Sequence, residues 1–69
     1  MTSNTKKLRL YAGKTQTQMC EEIGITKPTL IRIERCQPVA ISTVSKWAEY
    51  FDLSIEEAME LGAVIRGEA

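Results

Sequence analysis

Apolar residues recur at three- and four-residue spacings along the chain, broken at Gly13, Gly24, Pro38 and Gly62, and this rhythm predicts five short helices. The first, roughly Thr5 to Ala12, offers Leu8 and Tyr11 or Ala12 to a core. The second follows Thr15, whose hydroxyl suits a helix cap, and carries Met19, Cys20 and Ile23. Gly24 then stands where the helix must end in a positive φ. Ile25 plugs the turn, Thr26 is placed to cap, and Lys27-Pro28-Thr29 opens a third helix in which Pro28 loses nothing by lacking an N–H. Leu30 and Ile33 face inward from it. Lys27, Pro28, Thr29, Ile31, Arg32 and Arg35 are left outward. A fourth helix, opened by Ser42 or Thr43, buries Val44, Trp47, Ala48 and Phe51. The fifth starts at Ser54 with Glu57 three residues on, the capping-box spacing, and buries Ile55, Ala58 and Leu61.

The fold class is therefore all-α, a compact five-helix bundle, and 69 residues suffice for one domain, 1–69, with a small core over about 5–61. Small cores are marginal, so a partner subunit is expected to add stability. The tail 62–69 holds Ala63-Val64-Ile65, too short for a helix and apolar enough to close a dimer or fold back. With Met59, Val64 and Ile65 form the candidate dimer interface.

Two cysteines, no histidine and no apolar run near eighteen residues predict neither a metal site, a disulfide framework nor a membrane span. No cofactor is expected. Without a recognisable signal peptide, the cytoplasm is the expected compartment. An enzyme is not predicted: histidine, a glycine-rich phosphate loop and a convergent carboxylate pair are all missing. Cys20 reads as a small buried residue standing in for alanine, and Cys36 as exposed.

Net charge is zero, which taken alone argues against nucleic acid, but its distribution reverses the argument. Residues 1–46 hold eight cations against three anions, whereas 47–69 hold one cation, Arg66, against six anions. Such a molecule approaches DNA basic end first.

The turn and the two helices around it, from Thr15 to Glu34, suit a helix laid into a DNA groove, and over about residues 7–61 the chain resembles the Cro/C1-type, or XRE, helix-turn-helix family of phage repressors and bacterial regulators. The resemblance rests on Leu8-Arg9, Thr15-Gln16, Met19-Cys20, Ile23-Gly24-Ile25-Thr26, Leu30, Ile33-Glu34, Pro38, Val44, Trp47-Ala48, Phe51 and Leu53-Ser54. It implies a lambda-repressor-like bundle whose second and third helices form the helix-turn-helix. It also implies double-stranded DNA as the partner, bound by a homodimer on a palindromic operator. By the resemblance, Lys27, Pro28, Thr29 and Arg32 look into the major groove. Arg32 is suited to fork onto guanine O6 and N7, and Pro28 with Thr29 to meet a thymine methyl. Lys14, Gln16, Arg35, Ser42 and Thr43 match phosphate-contacting positions, Gln16 also bracing the recognition helix. Arg9 and Glu34 match a buried ion pair tying the first helix to the end of the third.

Three positions depart from the family pattern. Pro28 replaces a polar base reader, Cys36 stands where glycine is common, and Trp47 is bulkier than the usual aliphatic residue. A second reading therefore stands beside the first, a modulator of the same fold that pairs with a partner repressor protein instead of DNA. Zero net charge, Pro28 and the acidic C-terminal third favour it.

Overall fold

The computed structural model describes residues 3–67. Five helices lie where the periodicity places them: α1 Asn4–Tyr11, α2 Gln16–Ile23, α3 Lys27–Glu34, α4 Ile41–Tyr50 and α5 Ile55–Leu61. Two two-residue strands, β1 Pro38–Val39 and β2 Val64–Ile65, pair in parallel with Pro38 opposite Val64 and Val39 opposite Ile65. Periodicity does not predict this sheet. It arises when the Ala63–Ile65 tail folds back against its own chain, the second of the two outcomes open to it.

Local chemistry explains most boundaries. Thr15 and Ser54 each accept from a backbone N–H three residues on, and the side chains of Gln18 and Glu57 return the bond to the cap, so α2 and α5 begin in complete capping boxes. Gly24 ends α2 at φ 86° and ψ 37°, the left-handed conformation its missing Cβ makes cheap. Three expectations fail, the first of them the cap at Thr26, which accepts no backbone N–H at the start of α3. Helix α4 opens ahead of Ser42 and Thr43, after Ala40 in an extended conformation, and without any side-chain cap. Tyr11 is 83% exposed and Ala12 is exposed too, because the inward face of α1 runs along Thr5, Leu8 and Arg9.

The core gathers Met19, Leu30, Ile33, Val44 and Trp47, all fully buried, with Cys20, Ala48, Ala58, Val39 and Ala63 around them. Trp47 and Phe51 meet edge to face at 5.2 Å. Phe51, Ile55 and Leu61, assigned to the core from spacing, are partly buried against its margin. Cys36, in place of the family's glycine, itself takes φ 58°, and its Sγ lies against Gly62. No helix among the described residues is long and apolar enough to cross a membrane.

Candidate nucleic-acid interface

Helix α3 is divided lengthwise. Leu30, Ile33 and Glu34 are buried, Thr29 and Ile31 are half-buried, and Lys27, Pro28, Arg32 and Arg35 are exposed. The start of the helix is shaped by Thr26, whose hydroxyl pairs with that of Thr29 at 2.7 Å instead of capping a backbone N–H. Pro28 occupies the first turn, where its missing N–H leaves no bond unmade.

The far end of α3 is held from two other helices. Arg9 Nε donates to Glu34 Oε2 at 2.7 Å and Nη2 to Oε1 at 3.3 Å, while Nη1 donates to the Lys14 carbonyl at 3.0 Å. Gln16 Nε2, at the start of α2, adds a third donor to Glu34 at 3.2 Å. The hydroxyls of Thr5 and Ser3 donate to the carbonyls of Ile33 and Glu34, so the last turn of α3, short of partners in any helix, is satisfied from the start of α1. Nothing in the periodicity marks Thr5, which is fully buried.

Cations gather on both sides of this helix. A cleft of about 580 Å³ is lined by Lys6, Lys14, Thr15, Gln16 and Lys27, and Lys6 and Gln16 continue into a smaller one with Ile31 and Arg35. On the opposite side, Pro28, Thr29 and Arg32 line a cleft of about 330 Å³ with Ala40, Thr43 and Arg66. Ser42 is exposed on the first turn of α4. Three of the four residues matched to base-reading positions thus line one concavity, while Lys27 lines the other. Arg66 is assigned no role by the family pattern; its one signal in the sequence is the apolar pair before it, since a strand that folds back also fixes the residue at its end.

Lys14 is engaged elsewhere in the free protein. Its ammonium lies 3.1 Å from Glu22, which also accepts from the Tyr50 hydroxyl at 2.7 Å. The Tyr50 hydrogen bond, and after it the Lys14 one, holds the Glu22 carboxyl below its ordinary value. The Glu22 hydrogen bond raises both Lys14 and Tyr50. A phosphate reaching Lys14 therefore competes with a carboxylate. The residues of the candidate dimer interface differ in exposure: Met59 is 49% and Val64 38% exposed, while Ile65 packs against the core.

No curated protein and no solved structure matches this chain. The model of the helix-turn-helix family matches residues 6–57, from inside α1 into α5, and so takes in the turn and the third helix with the Arg9–Glu34 pair that braces it, while Arg66 lies beyond the match. The chain belongs to the Cro/C1-type helix-turn-helix, or XRE, family of DNA-binding regulatory domains.

Proposed function

We propose that the protein is a sequence-specific transcriptional regulator, a small Cro-like repressor that binds a palindromic operator as a homodimer. The observation that carries this reading is the exposed edge of α3, where Lys27, Pro28 and Arg32 stand clear of the core with basic clefts on both sides. Lys27, Pro28, Thr29 and Arg32 read bases. Lys14, Gln16, Arg35, Ser42 and Thr43 hold phosphates and fix the register of the helix in the groove. The dimer forms through Met59 and Val64 with Ile65 behind them, and its half-sites lie about one helical turn apart, roughly 34 Å.

The test is a salt titration of binding to the DNA upstream of the protein's own coding sequence and to a scrambled duplex of equal length. Wild type prefers the first, and binding weakens with salt. Arg32→Ala, folded by circular dichroism, loses about 1–3 kcal/mol of that preference. A folded wild type without preference for its own upstream DNA would sink this reading in favour of a modulator that pairs with another repressor, the occupant to which Pro28 and zero net charge point.

A further inference from the structure

Resting on the DNA-binding reading above, we propose that Arg66, carried at the end of the C-terminal strand β2, is a further DNA-phosphate contact, and that the folding back of the tail builds the second wall of the recognition surface. The β1–β2 pairing sets the position of this residue. Its backbone N–H donates to the Val39 carbonyl at 2.7 Å, one step beyond the Val39–Ile65 pair, so the strand hydrogen bonding runs through Arg66 itself. Side chains alternate along a strand. Ile65 turns toward the core, and the exposed Val64 and Arg66 turn away from it. Arg66 thereby lines the same cleft as Arg32, Pro28, Thr29 and Thr43.

The charge of that cleft narrows its occupant. Two arginines, Arg32 and Arg66, line a concavity of about 330 Å³ with no acidic residue in its lining. Among the described residues Arg66 has no ion-pair partner. Like charges so placed repel unless an anion lies between or beside them. Arg66 is also the one cation of residues 47–69, where six carboxylates stand. Helix α5 carries Glu56, Glu57 and Glu60 exposed to solvent, yet the strand after it returns this single cation to the basic face. A major groove admits one helix, and the elements beside that helix meet the sugar-phosphate walls. Arg66 stands beside α3 and next to Thr43 of α4, so its contact is a phosphate and not a base edge.

Arg66→Ala keeps the N–H that joins β2 to β1, and a thermal melt of the variant checks that the fold is retained. Titrated with the upstream duplex and the scrambled duplex, it binds both more weakly by the same factor, and the slope of log affinity against log salt falls in magnitude by about 0.9. Wild-type advantage over the variant accordingly shrinks about threefold between 50 and 200 mM salt. Arg66→Lys keeps most of the slope, because a phosphate accepts either cation. Wild-type affinity and slope in Arg66→Ala, with preference lost in Arg32→Ala, would overturn this inference and leave the regulator intact. Loss of preference in Arg66→Ala would make the contact a base and overturn the phosphate assignment. A wild type that binds neither duplex at low salt would overturn both readings together.

Discussion

The Glu34 carboxylate is buried, with its side chain 4% exposed, and takes two donors from Arg9 and one from Gln16. A chain of this length has a total stability of roughly 3–10 kcal/mol. Glu34→Ala strands the Arg9 guanidinium and is expected to cost about 3–5 kcal/mol, enough to leave the domain barely folded. Arg9→Met/Glu34→Leu is expected to recover most of that loss, since well-packed apolar residues replace a buried pair at little or no net cost. Urea melts followed by Trp47 emission measure both, and a double variant no more stable than Glu34→Ala would show that hydrogen bonding to Lys14 and Gln16 outweighs charge desolvation. The Arg9–Glu34 pair is legible in the sequence only through the family pattern, because apolar spacing says nothing of charged residues that turn inward. Thr5 is illegible for the same reason. Tyr11 misleads in the opposite sense: it comes three residues after Leu8, but sits about a third of a turn from the line of Thr5 and Arg9.

Helices α3 and α4 begin without a side-chain cap, and Ala40 is the weaker of the two starts. It has the extended backbone of a cap, φ −62° and ψ 148°, without an oxygen to use, whereas Thr15 and Ser54 hold complete capping boxes. Ala40→Asp is expected to stabilise the protein by about 0.5–2 kcal/mol, as a side-chain cap does elsewhere. The same carboxylate enters the cleft that Arg32 and Arg66 line, so DNA affinity is expected to fall while the melting temperature rises. Melting and binding measured on one preparation check the pair of outcomes, and a joint rise would mean that DNA does not approach this side of α3. The missing cap also explains why the start of α4 is illegible in sequence: Ser42 and Thr43 are better capping types than Ala40, yet the helix begins at Ile41, ahead of both, straight after an extended Ala40. The five helices themselves are legible, because each repeats its apolar spacing and Gly or Pro punctuates the turns between most of them. The strands are not. Two residues are too few to display alternation, and each strand exists only by pairing with a segment distant in sequence.

Across the whole molecule, charge is separated into a basic face around α3 and an acidic α5, and none of it resides on histidine. Histidine is the side chain whose ordinary pKa falls between about pH 5 and 8, and the chain has none, so no histidine bends the stability curve there. What bends the curve outside that window includes the cluster joining α2 to α4. Glu22 is lowered from its ordinary 4.5, first by the Tyr50 hydroxyl and then by Lys14, so its contribution is present above that value and lost as pH falls through the folded one. Tyr50 is raised from 10.0 and Lys14 from 10.5, both chiefly by the hydrogen bond to Glu22. Their contributions are present below those ordinary values and lost as pH rises through the folded ones. Tyr50→Phe keeps a ring beside Phe51 and deletes only the hydroxyl that Glu22 accepts from. The gap in melting temperature between wild type and this variant is therefore expected to be widest from about pH 5 to 9 and to narrow at both ends, below about pH 4 and above about pH 10. Glu22 is exposed and Lys14 and Tyr50 are half-buried, so the gap is small and shrinks further in salt. A gap that stays constant from acid to alkali would show that the hydroxyl contributes through packing alone, and that the α2–α4 junction is held by its apolar contacts and not by this charged cluster.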